Sequence, residues 1–144
     1  MTDRTIRNTL EGQRLITVQT TMNVTEVAAL MKGESIGAIL VLDGTTLAGI
    51  FTERDALFRV AATGLDSNMT TMAEVMTPNP TTIGPDKPFT DALEIMHDGR
   101  FRHVPVVENG SPIGMVSPGD AMGPELEQFM YSKILQEQAY DVLA

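Results

Sequence analysis

The sequence has no cysteine and no tryptophan, and only 5% of its 144 residues are aromatic. Disulfide bonds, thiolate catalysis and cysteine metal sites are therefore excluded. No apolar run approaches the roughly 20 residues that a membrane-spanning helix needs. The N-terminal stretch MTDRTIRNTLEG lacks the apolar core of a signal peptide. These absences favour a cytoplasmic protein with no membrane partner.

Basic residues are scarce: ten Lys and Arg stand against 19 Asp and Glu, which gives a formal net charge of −9. This charge opposes nucleic-acid binding, because nucleic acids are held by many Lys and Arg contacts to phosphate. An anionic small ligand would need a locally positive pocket, so the positions of the few basic residues are informative.

Motifs for catalysis and metal binding are also missing. His97 and His103 lie six residues apart and have no cysteine or paired-acid companions at the spacing of metal ligands. There is no Walker loop, no dinucleotide-binding GxGxxG and no nucleophile elbow. We therefore expect neither an enzyme nor a metal site, and no obligatory cofactor.

The stretch from Ile36 to Leu57 organises the rest of the chain. An apolar run, a turn signal at Asp43-Gly44 and a second apolar run predict a β-hairpin. The polar residues that follow, from Thr52 to Asp55, predict the start of a helix. A strand that leads into a helix N-terminus leaves backbone N–H groups that can meet an anion.

The same pattern recurs from Arg102 to Ala121 at a constant offset of 65 residues, which carries Gly37 onto Arg102, Gly49 onto Gly114 and Asp55 onto Asp120. The register holds without a gap from Thr17 to Ala56, which predicts an internal duplication. Each half of roughly 60 residues would bury a marginal core alone, so the two halves should share one.

Apolar periodicity predicts an α/β fold in which each half runs strand, helix, strand, strand, helix. In the first half we expect a strand at Leu15–Val18, a helix at Val24–Met31 that Gly33 ends, and a helix at Asp55–Ala62. The matching elements of the second half are a strand at Thr81–Ile83, a helix at Pro88–His97 and a helix that begins at Asp120. The predicted segments are an N-terminal helix (1–13, helical from Thr5 to Glu11), repeat 1 (14–64), a linker (65–80, with a short helix at Met72–Met76), repeat 2 (81–122) and a C-terminal helix (123–144, from Glu125).

Two heptapeptides carry a resemblance to a known family. Gly49 to Asp55 reads GIFTERD and Gly114 to Asp120 reads GMVSPGD, and both fit the pattern glycine, apolar, any, Ser/Thr, any, any, Asp. With the hairpins before them and the MTPNP linker, they make the chain similar to a tandem pair of cystathionine-β-synthase (CBS) domains, a Bateman module. The resemblance covers about Ile6 to Met122. It implies two repeats packed with pseudo-twofold symmetry.

The two signature aspartates, Asp55 and Asp120, have two readings. A carboxylate can accept a hydrogen bond from each of the two ribose hydroxyls of adenosine, and charge-assisted bonds of this kind are strong. An aspartate at this position can also simply cap the helix that follows it. Both roles are compatible, and the family resemblance favours ribose binding.

The resemblance implies two unequal sites, because each signature faces the opposite repeat. The first would comprise Thr52, Arg54, Asp55, Thr82, Phe101, Arg102, His103 and Pro105. The second would comprise Thr17, Ile36, Gly37, Ala38, Ser117 and Asp120. The first contains Arg54, Arg102 and His103, whereas the second has no cation nearby, so the first should prefer phosphorylated nucleosides. Arg102 could instead be an exposed charge at a strand edge, and His103 a partly buried strand histidine.

The resemblance implies a non-catalytic regulatory module that binds an adenine nucleotide such as AMP, ADP, ATP or NAD. S-adenosyl compounds share the adenosine and stay among the candidates. Modules of this kind usually form twofold homodimers, here through the helix from Asp55 to Ala62 and the region around Ala121. The alternative is an interaction adaptor with a degenerate cleft, which would act through its C-terminal helix.

Overall fold

The computed structural model describes residues 4–143, and the side chains of residues 4–139. Residues 1–3 and 144 of the two predicted terminal segments lie outside it. The chain forms the expected α/β fold in two similar halves, which confirms the predicted fold class. Among residues 4–143, no helix is both long and apolar enough to cross a membrane.

The first half begins with a helical turn and then builds a four-stranded sheet. Its elements are α1 (Ile6–Thr9), β1 (Thr17–Gln19), α2 (Val24–Glu34), β2 (Ala38–Asp43), β3 (Thr46–Thr52) and α3 (Glu53–Asp55), which continues as a π-helix over Ala56–Ala61. The linker adds α4 (Met72–Val75) and β4 (Thr77–Pro78). The strands lie in the order β1, β2, β3, β4, with β1 parallel to β2 and the other pairs antiparallel.

The second half repeats the helix and the hairpin. It contains α5 (Phe89–Gly99), β5 (Val104–Glu108), β6 (Ser111–Val116), a 3₁₀ turn (Pro118–Asp120) and α6 (Gly123–Leu143). Its hairpin turns at Asn109 and Gly110, which both have positive φ (51° and 80°), as a tight hairpin turn requires.

The 65-residue register extends to backbone irregularities. The bulge between Val41 and Leu42 recurs between Val106 and Val107. The left-handed residue that ends α2, Ser35, has its counterpart in Arg100 at the end of α5, with φ of 56° and 58°. Because such features are costly without a structural purpose, their repetition supports an internal duplication.

Several predicted boundaries were wrong. Helix α2 continues through Gly33 and ends at Ser35. The predicted strand at Thr81–Ile83 is reduced to a single bridge between Ile83 and Val106. In the first half, the N–H of Thr20 extends the pairing by donating to the Leu42 carbonyl (3.0 Å). The matching residue is Pro85, which has no N–H to donate.

The second signature also ends differently from the expected pattern. No α-helix begins at Asp120, because the 3₁₀ turn stops there and the chain is extended at Ala121. Helix α6 then starts at Gly123 rather than Glu125. The predicted helix from Thr5 to Glu11 is only the single α-helical turn of α1.

Each half has its own apolar core, and each core is completed by the segment that precedes the other half. Met72 and Val75, from the linker before the second repeat, are buried in the core of the first half. Ile6 and Leu10, from the segment before the first repeat, pack in the core of the second half. A third, small cluster joins strand residues of the first half to Met115 of the second, and it is the part of the core that the halves share.

Candidate functional site: two clefts between the halves

Both signature turns are built as capping boxes. The N–H of Asp55 donates to the Thr52 hydroxyl (3.1 Å), and the Thr52 N–H donates back to Asp55 Oδ2 (3.0 Å). The second turn repeats the box, with the Ser117 N–H donating to Asp120 Oδ2 at 2.8 Å. The capping role expected of Asp55 is therefore observed, whereas Asp120 closes its box on a 3₁₀ turn that is followed by extended chain. An aspartate that uses one carboxylate oxygen, here Oδ2, in the capping box keeps its second oxygen for other partners.

That second oxygen has different surroundings in the two turns. Asp55 Oδ1 accepts a hydrogen bond from the Thr77 hydroxyl (3.3 Å) and forms an ion pair with Arg59 Nε (3.3 Å). Asp55 is buried, with 8% of its surface exposed. Asp120 is half-buried, and its hydrogen bonds within residues 4–139 that involve the carboxylate both use Oδ2.

The larger cleft lies beside the first signature and has a volume of about 1020 Å³. It is lined by residues of both halves and of the linker: Gly37, Ile50, Thr52, Glu53, Arg54, Asp55, Phe58, Arg59, Thr77, Asn79, Pro80, Thr81, Arg100, Phe101, Arg102 and His103. A cleft of this size can hold a drug-sized or nucleotide-sized molecule.

The larger cleft is locally positive in an acidic protein. Four of the ten Lys and Arg residues line it, namely Arg54, Arg59, Arg100 and Arg102. The carboxylates in its lining are those of Glu53 and Asp55. Because the whole chain carries a net charge of −9, this concentration of guanidinium groups provides the positive pocket that an anionic ligand requires.

The smaller cleft lies beside the second signature and has a volume of about 260 Å³. It is lined by Gln13, Arg14, Leu15, Ile16, Ile36, Gly37, Ala38, Leu40, His103, Met115, Val116, Ser117 and Asp120. The side-chain amide of Gln13 pairs with the backbone of Met115, donating to its carbonyl (2.9 Å) and accepting from its N–H (3.0 Å). In the first half, the backbone of Thr77 pairs with the matching residue, Ile50.

The two clefts share a wall, because both are lined by Gly37 and His103. The pKa of His103 is lowered below its usual value of 6.5, mainly by burial and to a smaller extent by the nearby Arg102 cation. The Glu53 and Asp120 carboxylates raise this pKa, but by less. His103 is therefore uncharged at neutral pH. It can donate or accept a hydrogen bond there without adding a charge.

Most of the predicted site residues line the expected cleft. For the first site, the structure brings Thr52, Arg54, Asp55, Phe101, Arg102 and His103 to the larger cleft. Thr82 and Pro105 do not line it. Pro105 is fully buried, and its carbonyl accepts a hydrogen bond from Ile83 (3.0 Å). Thr81 stands at the cleft in place of Thr82.

For the second site, the structure brings Ile36, Gly37, Ala38, Ser117 and Asp120 to the smaller cleft. Thr17 does not line this cleft, and the preceding residues Leu15 and Ile16 line it instead. The expectation that this site has no cation nearby was wrong, since Arg14 lines it. Arg14 belongs to the segment before the strand, which the repeat pattern did not connect to the second signature.

The polar residues of the larger cleft that the sequence prediction missed include Arg59, Thr77 and Arg100. Arg59 is four residues after Asp55, the spacing at which helical side chains meet, so the ion pair had a signal. Thr77 belongs to the MTPNP linker, whose strand β4 brings it to Asp55. Arg100 lines the cleft from the left-handed end of α5, a position for which no local pattern predicted an arginine.

Comparison with known families identifies the chain. The model of the family described as "CBS domain" matches residues 11–62 and again residues 72–123. The chain belongs to the CBS-domain family. The two matched segments overlap the two halves described above, and the second also takes in α4 and β4 of the linker. The resemblance inferred from the paired heptapeptides is confirmed.

Curated relatives include proteins much longer than this chain. The Meiotically up-regulated gene 70 protein of Schizosaccharomyces pombe is 39% identical over 110 residues, which are 75% of this chain and 15% of that protein. The chain thus spans less than a fifth of that relative. The match supports membership of the CBS-domain family, and it does not extend to the rest of that longer protein.

Solved structures show the same fold. A protein with CBS domains from Burkholderia ambifaria MC40-6 is 34% identical, with a TM-score of 0.77 over 81% of this chain and 90% of that one. The CBS domain protein PAE2072 from Pyrobaculum aerophilum, solved in complex with AMP, has a TM-score of 0.78 over 89% of this chain and 99% of that one. At 23% identity, the second comparison shows the fold alone.

Proposed function

We propose that this CBS pair is a non-catalytic regulatory module that binds an adenine nucleotide in the larger cleft and acts as an energy or metabolite sensor. The candidate ligands are AMP, ADP, ATP and NAD. S-adenosyl compounds serve as a comparison, because they share the adenosine and have no phosphate. Binding would favour one relative arrangement of the two repeats, because the cleft is lined by both.

The observation that carries this proposal is the convergence of four arginines on the cleft that contains Thr52 and Asp55. Arginine presents a planar fork that suits phosphate oxygens. Four of the ten Lys and Arg residues of the protein lie at this one cleft. A phosphate near Arg54, Arg100 or Arg102 would be stabilised there. The AMP complex of the Pyrobaculum protein shows that a module with this fold can hold an adenine nucleotide.

The smaller cleft is the weaker candidate for a nucleotide. Its volume is about a quarter of that of the larger cleft, and Gln13 already pairs with the Met115 backbone inside it. Asp120 Oδ1 is still able to accept a hydrogen bond from a ribose hydroxyl. We therefore expect the smaller cleft to bind at most a nucleoside-like group.

Calorimetric titration tests the proposal. AMP, ADP, ATP, NAD and S-adenosylmethionine would be titrated into the wild type and into Asp55→Ala and Asp120→Ala. We expect Asp55→Ala to weaken nucleotide binding by tenfold or more, because it removes a charge-assisted bond to ribose, while Asp120→Ala binds nearly as well as the wild type. The opposite pattern would move the main site to the smaller cleft.

A second function is favoured by exposed apolar side chains on α6. Leu126, Met130 and Ile134 follow one another at four-residue spacing, and they are 38%, 56% and 50% exposed. A helix face of this kind suits an interaction adaptor. The adaptor function would be favoured if the thermal stability of the wild type were unchanged by each of the five ligands.

We also propose a homodimer, formed through the helix that follows the first signature. Leu57 and Phe58 lie on its π-helical part and are 57% and 55% exposed. Exposed apolar residues that cluster on one helix commonly mark an interface, and twofold dimers are the commonest oligomers. The 3₁₀ turn and extended chain around Ala121 give the second half no equivalent helix at that point.

A further inference from the structure

The Asp55 carboxylate, the proposed ribose-binding group, already has three partners within the protein. It accepts from the Thr52 N–H and the Thr77 hydroxyl, and it pairs with the Arg59 guanidinium. An ionised carboxylate offers about four acceptor positions. Two ribose hydroxyls would need two of them, so at least one of these three groups, two hydrogen-bond donors and one ion-pair partner, has to give way when a nucleoside binds.

The three groups around the Asp55 carboxylate differ in how easily they can move away. The Thr52 N–H is fixed by the backbone of the capping box. The Thr77 hydroxyl lies on β4, which is paired with β3. The Arg59 side chain is 48% exposed and has a long stem, and it also lines the larger cleft. Arg59 is therefore the partner of Asp55 that can move while the backbone stays in place.

Arg59 also connects Asp55 to the linker between the repeats. Its Nη1 donates to the Met76 carbonyl (3.2 Å), next to Thr77. It lies in the π-helical segment, where the Ala62 N–H bonds to the Leu57 carbonyl five residues before it (2.9 Å). π-Helical turns are rare and often occur at functional sites. The arrangement is specific to the first repeat, because the 65-residue register places Pro124 at the matching position.

We propose that Arg59 is the specificity-determining residue of the larger cleft. It competes with a ribose diol for Asp55, and a phosphate group in the cleft draws it away. A nucleoside must then break the ion pair between Arg59 and Asp55 and leaves Arg59 without a new anionic partner. A nucleotide supplies its phosphate as that partner. The inference rests on the proposed function, and it adds a reason why nucleotides should be preferred to nucleosides.

The test compares adenosine with AMP, two probes that differ only in the phosphate. Calorimetry on the wild type gives the preference as a ratio of the two dissociation constants. In Arg59→Met, which keeps the aliphatic stem, adenosine should bind more tightly than in the wild type, and AMP should bind no more tightly. We expect the preference for AMP to fall about tenfold, the size of one charge-assisted hydrogen bond.

Three further variants separate competition from structural support. Arg59→Lys retains a cation and should keep most of the preference. Thr77→Val frees one acceptor position of Asp55 without removing a cation, so by the same count adenosine should bind more tightly and the preference for AMP should fall in part. Lys87→Gln removes one positive charge at an exposed position that lines neither cleft, and it should change both affinities by less than about twofold.

The outcomes that overturn the inference are distinct from failure of the proposed function. If Arg59→Met weakens adenosine and AMP by the same factor, or leaves their ratio unchanged, Arg59 does not determine specificity. If the wild type binds neither probe, nor ATP or NAD, the proposed nucleotide site itself fails and the inference fails with it. A preference that falls in Arg59→Met and persists in Arg59→Lys supports the inference.

Discussion

At the scale of single residues, two glycines with opposite surroundings make different contributions to stability. A Cβ built on Gly49 would lie 2.7 Å from the Thr77 carbonyl oxygen and 2.6 Å from the Met76 sulfur. Gly49 thus allows β4 to approach β3 and bring Thr77 to Asp55. A Cβ built on Gly33 meets no atom within 4 Å among the neighbours that the structure describes, and Gly33 lies inside helix α2.

We predict that Gly49→Ala lowers the free energy of unfolding by about 1–3 kcal/mol, because the backbone oxygen of β4 cannot move aside as a side chain could. Gly33→Ala is the matched control, and it should raise the free energy by about 0.5–1 kcal/mol through helix propensity. Urea denaturation of the three proteins measures both changes. Equal effects of the two substitutions would contradict this account.

At the scale of elements, the sequence predicted the features that local patterns control. Helix α2, helix α5 and both hairpins follow apolar periodicity and turn residues, and the duplication could be read from a register that holds without a gap. The shortening of the second copy of β1 to one bridge could not be predicted from its apolar residues, because it involves missing backbone N–H groups, such as that of Pro85. The π-helical form of Ala56–Ala61 likewise has no signal in periodicity.

The candidate site was predictable to the extent that it follows the signature motifs. Thr52, Asp55, Ser117 and Asp120 lie at repeated strand ends, so the motif located them. Arg14 and Thr77 lie near the starts of the two matched CBS segments, and their place depends on packing between distant parts of the chain. Predicted binding by these residues stays a prediction until ligands are tested.

Arg4 connects α6 to the second signature, and it supports a prediction at this scale. Its guanidinium donates to Glu125 (2.7 Å) and to the Asp120 carbonyl (2.8 Å), and it lies over the Phe89 ring. We predict that Arg4→Met lowers the free energy of unfolding by about 1–2 kcal/mol, since two charge-assisted bonds are lost. Hydrogen exchange in the first turns of α6 should become faster.

The control for Arg4→Met is Arg14→Met. The Arg14 side chain is 76% exposed and pairs only loosely with Glu34 (3.3 Å). A surface ion pair of this kind contributes little, so the change should stay below about 0.5 kcal/mol. Unchanged exchange of α6 in Arg4→Met would show that Arg4 does not hold the helix.

At the scale of the whole molecule, the proposed homodimer gives a prediction about mass in solution. We expect the wild type to have the mass of a dimer in light scattering, and Leu57→Glu to have that of a monomer, because a carboxylate would be buried in an apolar interface. Ile134→Glu on α6 should remain dimeric. The control is Ala73→Glu, at an exposed position on α4. A monomeric wild type would refute the dimer.

The exchange of core segments between the halves has a consequence for how the chain folds during synthesis. The first half lacks Met72 and Val75 until the linker has been made, and the second half closes on Ile6, which is made before either repeat. The first half is therefore still incomplete when its own strand β3 has emerged. Contacts between residues so far apart along the chain slow folding, so the N-terminal segment must wait, unpacked, until the second repeat reaches it.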